Sequence, residues 1–418
     1  MPVTISNAAE NGTTRLSGAE GPRAGDLTAH LIATDVWSDH LLVRAGIAVV
    51  DARLVTVGGG LGSFLLADRL LMAGAPAGDV RVLSNLDVPW QTYEHLARVS
   101  QVPTPEREQV LEGLRREHDR IGYPELLARG MVRMVRRRQG GGYFTVLTPP
   151  AGTTPTPRVV YRSQFVHLAL GYPGLRFLPD LQRYRADTGD HHRVVNAYEG
   201  HEHVYREVAT RPCTVVLRGT DPVGDRIVKR LTDDRERLRT GVRIVRAGFG
   251  RPRTQTDRRL HHQLRQGTQE GWYQLVNGEA QLLRRHGDRL SMMLTPGGLE
   301  LGCDFVIDCT GLETDIAQHR VFDDLLGHSG ARRNPVNRLA MERSFEVHGT
   351  RNGIGRIYAS GAATLSTPSA ATEPDSITGL QAAAQEITRD LVRQGFARRS
   401  GPGRAARQWW RRTRNQRP

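Results

Sequence analysis

The sequence predicts an α/β fold in which helices pack on parallel sheets. Two observations support this. Apolar runs rich in β-branched residues at 54–57 and 214–217 each lead into a glycine-containing turn and then a helical pattern. A further strand follows each helix, at 79–84 and 242–246. A strand, a glycine turn, a helix and a strand within about thirty residues form a βαβ unit, and such units build parallel sheets.

The turn at 58–63 carries the strongest chemical signal in the chain. Its residues are Gly58, Gly60, Leu61, Gly62 and Ser63. Glycine at the first position permits a tight turn, glycine at the third lets the backbone approach a pyrophosphate, and a small sixth residue lets helix and strand pack closely. The following helix offers free N–H groups and its positive dipole end to phosphates. The pattern predicts a bound dinucleotide, and an ordinary glycine-rich turn is the alternative.

The strand after this helix ends at Ser84, where a dinucleotide site usually has an acidic residue for the ribose hydroxyls. Ser84 and Asn85 can hydrogen-bond a ribose more weakly than a carboxylate can, and Asp87 is a candidate substitute. The loop then carries Trp90 and Gln91, which could contact the bound nucleotide. A packed surface loop is the alternative.

The second βαβ unit has a weaker fingerprint. Gly219 and Gly224 fit the spacing, but Asp221 stands where a glycine would approach the pyrophosphate. Its charge disfavours a phosphate unless the side chain turns away to cap the helix. Arg246, near the end of the next strand, could bind the 2′-phosphate of NADP. The alternative is a degenerate half that keeps the fold without the ligand.

Composition narrows the classes of function. The formal charge is +14 and favours anionic partners such as nucleotides, although the arginine-rich tail alone is weak evidence for nucleic acid. The chain has three cysteines and so lacks a disulfide framework or a four-cysteine zinc site, and no metal is expected. We expect no membrane span and no secretory signal, hence a cytoplasmic protein.

The remaining strands end in small-residue turns. A hairpin containing Val132 precedes a strand that ends in Ala169-Leu170-Gly171, and a later strand ends in Cys309-Thr310-Gly311. The last apolar strand ends in Gly361 and Ala362, and a helix follows from about Thr378 and Gly379. Residues 27–50 predict a helix or hairpin at the edge of the main sheet, and 178–181 predict a linker.

This order of motifs resembles the flavoproteins with two dinucleotide-binding domains, a superfamily that includes flavin-containing and N-hydroxylating monooxygenases. The resemblance implies two Rossmann-like domains, the second inserted into the first, with FAD in the first and NADPH or NADH in the second. The turns at Gly171 and Gly311 look like the crossings between the domains. Gly361-Ala362 looks like the closing turn that holds the ribityl chain and pyrophosphate, and Val132, Thr378 and Gly379 are further expected FAD contacts.

The resemblance also implies a domain order, with the FAD domain at 27–175 and 311–395 and the inserted domain at 176–310. Composition predicts a disordered leader at 1–26 and a disordered arginine-rich tail at 396–418. Three positions depart from the superfamily pattern: Ser84, Asp221 and Ala362. The redox-active cysteine pair and the Baeyer–Villiger fingerprint are both absent.

The sequence therefore predicts an FAD-dependent NAD(P)H oxidoreductase that is monooxygenase-like and acts on a small molecule, with specialised metabolism as one setting. The alternative is a non-catalytic flavin or nucleotide binder that acts as a partner or sensor. No side chain is assigned as the acid or base: His167, His319 and His328 are candidates only by residue type. The sequence does not predict the oligomeric state.

Overall fold

The computed structural model describes residues 27–92, 105–150, 158–172, 174–219, 222–248, 258–313, 315–364 and 376–397, together with a few positions of the tail. The predicted leader and most of the predicted tail lie outside these residues. The chain divides into two compact units. The first unit contains the described residues of 1–92, 105–174 and 314–418, and the second unit is the segment 175–313. The predicted fold class, with the second domain inserted into the first, is confirmed.

The helices of the described chain are α1 Ala29–Ala33, α2 Asp39–Arg44, α3 Leu61–Met72, α4 Pro105–Ile121, α5 Tyr123–Leu126, α6 Pro179–Thr188, α7 Glu202–Thr210, α8 Pro222–Leu238, α9 Arg258–Glu270, α10 Arg320–His328 and α11 Ile377–Arg393. The strands are β1 Val36–Trp37, β2 Ala48–Asp51, β3 Leu54–Val57, β4 Val80–Ser84, β5 Leu127–Arg129, β6 Met131–Arg138, β7 Tyr143–Thr148, β8 Val159–Ser163, β9 Phe165–Leu168, β10 Val194–Asn196, β11 Thr214–Arg218, β12 Arg243–Gly248, β13 Tyr273–Asn277, β14 Glu279–His286, β15 Arg289–Thr295, β16 Leu299–Cys303, β17 Phe305–Asp308 and β18 Arg356–Ala359.

The main sheet of the first unit is parallel, with strand order β18-β9-β3-β4-β5. Strand β3 is buried along its whole length because both faces of the sheet are covered. Leu54 packs with residues of α3 and α11, whereas Val55 packs with residues of β6, β7 and α10. Helix α3 ends as predicted, since Gly74 follows its last turn with a positive φ of 85°.

A second sheet of the first unit has strand order β1-β6-β7-β8-β2. Its centre is the predicted hairpin, extended by β8 as an antiparallel meander. The expectation for residues 27–50 was wrong about their location. Strands β1 and β2 join the two edges of this meander, not the main sheet, because β1 pairs in parallel with β6 and β2 with β8.

The second unit contains a parallel sheet of order β10-β17-β11-β12-β13 and an antiparallel sheet of order β14-β15-β16. The predicted linker at 178–181 is instead the start of α6, where Pro179 opens the helix and Leu181 is fully buried. Among the described residues, no helix has both the length and the apolar character needed to cross a membrane.

Candidate cofactor-binding site

The turn between β3 and α3 presses closely on the end of β9. Gly58 has a positive φ of 95°, and a Cβ added there would lie 2.4 Å from the carbonyl oxygen of Ala169. Any other residue at position 58 would therefore have a strained backbone conformation and would also clash with Ala169. Gly58 is the tight-turn glycine that the fingerprint requires, and it brings the turn against the first predicted crossing.

Gly60 has a different environment from Gly58. It precedes α3 with φ −75°, and no side chain caps the helix there. A Cβ added at Gly60 would meet no atom of the described chain within 4 Å. The first turn of α3 also contains no acidic residue. The helix start thus combines an uncapped positive dipole end with open space, which are the two requirements of a phosphate cradle.

Two side chains hold the carbonyl groups of this turn. The Ser63 hydroxyl donates to the carbonyl of Gly58. The Tyr123 hydroxyl donates to the carbonyl of Gly59 at 3.2 Å. Both side chains are buried. Burial raises the pKa of Tyr123 far above its usual value, so this hydroxyl stays protonated and remains a donor.

A buried imidazole continues from Ser63 into the sheet. Thr56 Oγ1 lies 2.7 Å from Ser63 Oγ and 2.8 Å from His167 Nδ1. His167 Nε2 lies 2.9 Å from Ser360 Oγ. Burial lowers the pKa of His167 to about 3, so the ring is neutral at physiological pH. Because its ring is buried and neutral, His167 is not placed to act as a solvent-exposed acid or base.

Ser84 lies directly beneath the turn. A Cβ added at Gly59 would lie 2.5 Å from Ser84 Oγ, and this oxygen accepts the Leu86 N–H at 3.0 Å. The neighbouring Asn85 is exposed. The Asp87 carboxylate forms an exposed ion pair with Arg129. Of these candidates for the ribose, Asn85 and Asp87 are exposed, whereas Ser84 is buried.

The loop with Trp90 and Gln91 is packed. The Trp90 ring is buried and meets His118 edge-on, with 5.3 Å between ring centroids. Gln91 Oε1 accepts the Asp87 N–H at 2.9 Å. These contacts agree with the packed-loop alternative, and contact of either side chain with a cofactor stays a prediction.

Two other predicted regions of the first unit, the turn after β18 and the start of α11, border α3. A Cβ at Gly62 would lie 2.9 Å from Ser360 Oγ and 3.5 Å from Leu380 Cδ2, so the turn after β18 and the start of α11 both border the fingerprint helix. Gly361 has a positive φ of 78°, and Ala362 follows it in a buried 3-10 turn. Leu61 is buried in the first turn of α3, Val132 is buried in β6, and Gly171 is exposed after β9.

Thr378 and Gly379 lie in the first turn of α11, whose start differs from that of α3. The Ser376 side chain caps α11 by accepting the Gly379 N–H at 3.0 Å. That amide is therefore already bonded within the protein, unlike the uncapped start of α3.

In the second unit, Gly219 repeats the backbone geometry of Gly58. Gly219 has a positive φ of 116°, and its added Cβ would lie 2.4 Å from the Cys309 carbonyl oxygen. The Gly219 N–H donates to Ala247 at 2.8 Å, as the Gly58 N–H donates to Leu83 at 2.9 Å. Position 221 lies outside the described residues, so the prediction for Asp221 is not tested.

The hydrogen-bond register corrects the placement of Arg246. Because Ala247 corresponds to Leu83, the counterpart of Ser84 is Gly248, and Arg246 lies two residues before the ribose position. Its guanidinium is buried, pairs with Asp225 of α8 and donates from Nε to the Gly219 carbonyl at 3.3 Å. The side chain lies under the glycine turn, next to the position of a Cβ at Gly224. This position does not favour contact of Arg246 with a 2′-phosphate, and that contact stays a prediction.

The second crossing is held by Asp308 in the second unit. Its carboxylate accepts the N–H of Thr310 at 2.9 Å and that of Leu178 at 2.7 Å. Burial raises the pKa of Asp308, against the effect of these bonds. The Gly311 carbonyl accepts the Arg176 N–H at 3.3 Å, so the two segments at the ends of the insertion pair with each other.

All three cysteines are free and buried, and they lie in the second unit. Burial raises the pKa of Cys213 to about 11 and that of Cys303 to about 12, which suppresses the reactive thiolate. In the described ranges, no group of three or more His, Cys, Asp or Glu side chains could hold a metal ion.

No protein-family model matches the sequence, and no curated protein matches it. Solved structures match the fold. The bacillithiol disulfide reductase Bdr (YpdA) from Staphylococcus aureus is 15% identical with a TM-score of 0.56, and the match covers 82% of this chain and 99% of the reductase. The chain has the fold of the flavoproteins with two dinucleotide-binding domains.

Two ornithine hydroxylases share this fold. PvdA from Pseudomonas aeruginosa, in its reduced form, is 16% identical with a TM-score of 0.55, and the match covers 82% of this chain and 100% of PvdA. KtzI from Kutzneria sp. 744, solved with reduced FAD, NADP⁺ and L-ornithine, is 14% identical with a TM-score of 0.53, and the match covers 83% and 100%. At these identities the likeness establishes the fold alone.

Sequence reasoning missed Thr56, Tyr123 and Ser360 as parts of the site. A polar residue in the otherwise apolar run 54–57 was a usable signal for Thr56. Tyr123 lies far from the turn in sequence, and no local pattern links it to Gly59.

Proposed function

We propose that this chain is an FAD-dependent NAD(P)H oxidoreductase, monooxygenase-like, that acts on a small molecule. The observation that carries the proposal is the open space at Gly60 in front of the uncapped start of α3. In the described residues of this turn, the backbone N–H groups face no capping side chain and no acidic residue. A diphosphate fits both the charge and the space.

The residues of the first unit provide distinct contacts for FAD. The N–H groups at the start of α3 would bind the pyrophosphate, and Asn85 would reach the ribose. The turn at Gly361 would approach the ribityl chain. When bound, FAD supplies hydride acceptance and oxygen chemistry, while the protein positions the reactants and excludes water.

The cysteines favour the monooxygenase over the disulfide reductase. A disulfide reductase needs a reactive thiol pair, whereas the thiols of Cys213 and Cys303 are buried with raised pKa values. The ornithine hydroxylases with the same fold supply a chemical precedent for a small amine substrate. The substrate of this chain is proposed only as a small molecule.

The second unit would take NADPH or NADH at the turn that begins with Gly219. Gly219 repeats the positive φ and the strand contact of Gly58, which supports this assignment. The buried Arg246–Asp225 pair leaves no arginine of β12 beside the ribose position. A non-catalytic flavin binder is therefore the second candidate, favoured by this pair and by the absence of an acid at Ser84.

Reconstitution tests these alternatives. The purified protein is incubated with excess FAD, desalted and examined for oxidised-flavin absorbance at about 450 nm, a property of the cofactor. We expect a yellow protein that NADPH or NADH bleaches without oxygen, and whose colour returns in air. A protein that retains no flavin contradicts the proposal. Retained flavin that neither nucleotide bleaches supports the non-catalytic binder.

A further inference from the structure

A chain of buried polar side chains connects the glycine turn of the first unit to the turn after β18. It runs from Ser63 through Thr56 and His167 to Ser360, with separations of 2.7, 2.8 and 2.9 Å. All four residues are at most 2% exposed. A buried polar group costs desolvation free energy unless it forms hydrogen bonds, and all four of these groups are hydrogen-bonded.

The donors and acceptors fix one direction for this chain. Ser63 uses its only proton on the Gly58 carbonyl, so it must accept from Thr56. Thr56 has then used its own proton and must accept from His167 Nδ1–H. The unprotonated Nε2 accepts from Ser360. The assignment requires a neutral imidazole with its proton on Nδ1.

The bonds at the turn determine which way its amides point. In a trans peptide the N–H lies opposite the C=O. Ser63 holds the Gly58 carbonyl toward the interior, so the Gly59 N–H is turned away from it. Tyr123 holds the Gly59 carbonyl in the same manner, which orients the Gly60 N–H. The N–H groups of Gly59 and Gly60 are thereby oriented before any ligand binds.

The second unit shows that the fold does not require this row of hydrogen-bonded side chains. Thr56 pairs with His167 two residues before Gly58. The corresponding residues before Gly219 are Leu217 and Ile307, which pair in the same register and are apolar. Gly219 therefore reaches an equivalent positive φ although the two residues paired before it carry no hydroxyl or imidazole group.

We propose that Thr56, His167 and Ser360 are positioning residues that preset the amides of the first turn for a dinucleotide pyrophosphate and couple them to the turn at Gly361. This inference rests on the proposed FAD site. Removing a link leaves the turn able to fold but free to rotate its peptides, so that binding must then order them.

Thr56→Val tests the chain because it keeps the shape and removes the hydroxyl. Thr145→Val is the matched control, since Thr145 is equally buried and its hydroxyl has no hydrogen-bond partner in the described structure. Thr56→Ser keeps the hydroxyl and removes only the methyl group. We expect about tenfold weaker FAD binding to Thr56→Val, because the turn loses the bond from Thr56 to Ser63, with near wild-type binding by the other two variants. Ser360→Ala tests the far end of the chain independently.

Hydrogen exchange of residues 57–64 in FAD-free protein provides a readout that does not need the cofactor. We expect about tenfold faster exchange in Thr56→Val, since loss of the bond from Thr56 to Ser63 weakens the local order of the turn by about that factor, and no change in Thr145→Val. Unchanged exchange together with unchanged FAD affinity in Thr56→Val and Ser360→Ala overturns the inference. Faster exchange in Thr56→Val than in the wild type, together with a wild type that binds no FAD, upholds the presetting of the amides and rejects the proposed function.

Discussion

Gly60 and Gly62 are two residues apart, yet they have different surroundings. A Cβ at Gly60 meets nothing within 4 Å in the described chain, whereas one at Gly62 meets Ser360 Oγ at 2.9 Å. Gly60 also has a φ of −75°, which an alanine adopts without strain. Gly60 can therefore be substituted without disturbing the fold, so the effect on ligand binding can be measured separately from the effect on stability.

Gly60→Ala is expected to keep or slightly raise the stability of FAD-free protein, by up to about 1 kcal/mol, because alanine restricts the unfolded chain. The added methyl group would enter the space meant for the pyrophosphate, so FAD affinity should fall at least about tenfold, the equivalent of about 1.4 kcal/mol. Calorimetric titration and thermal melts measure the two effects. Gly78→Ala is the control, since that exposed glycine also faces open space. Equal FAD affinity in both variants would contradict the proposed site.

His167 predicts a pH dependence of stability. Its pKa of about 3 in the folded protein lies below that of an unfolded histidine, and burial is the cause. The unfolded chain thus binds the extra proton between about pH 6.5 and 3, and stability falls as the pH is lowered through that window. The slope from this residue approaches about 1.4 kcal/mol per pH unit.

Urea unfolding at several pH values measures this effect. His167→Gln carries no titrating group, so its stability should depend less steeply on pH than that of the wild type in the same window. Parallel pH profiles for the two proteins would show that His167 is not buried as a neutral imidazole.

At the scale of elements, α3 and α8 begin differently although both follow a glycine turn. The first turn of α3 has no acid, while that of α8 contains Asp225. Asp225 pairs with the buried Arg246 beneath the turn. The first helix start is available for an anion, while the second carries an internal ion pair that fixes the helix to β12.

Arg246→Met should destabilise the protein by about 3 kcal/mol or more, because it leaves the Asp225 carboxylate largely buried without this partner. Arg246→Met combined with Asp225→Leu should recover much of the loss, since no uncompensated charge remains. Denaturant melts of the single and double variants measure the coupling. Arg259→Met is the control: its exposed pair with Glu236 should contribute less than about 1 kcal/mol. Equal effects of Arg246→Met and Arg259→Met would show that the buried pair is not stabilising.

At the scale of the whole molecule, the proposed enzyme could use its flavin alone or could also pass electrons from the flavin to a pair of thiols. The chain contains three cysteines, so Cys213→Ala combined with Cys303→Ala leaves no possible thiol pair. We expect this variant to retain FAD and to be bleached by NADPH at a rate within about twofold of the wild type, since the flavin itself accepts the hydride. Stopped-flow absorbance measures the rate. Loss of NADPH oxidation in a variant that still binds FAD would instead indicate thiol chemistry.

The sequence by itself determined the class of the fold and the location of the first glycine turn. These features are local: a β-branched run, glycines at fixed spacing and a helical pattern all lie within one short segment. For the same reason, the ends of α3 and the strands of the meander were predictable from neighbouring residues.

The tertiary structure alone decided which distant side chains meet at the turn. Thr56, His167 and Ser360 come from three parallel strands or their ends, and Tyr123 comes from a separate helix. It also decided that Arg246 points under the second turn, because strand register sets which residue reaches the ribose position. Pairing between strands and burial of side chains depend on contacts far apart in sequence, and no local pattern records them.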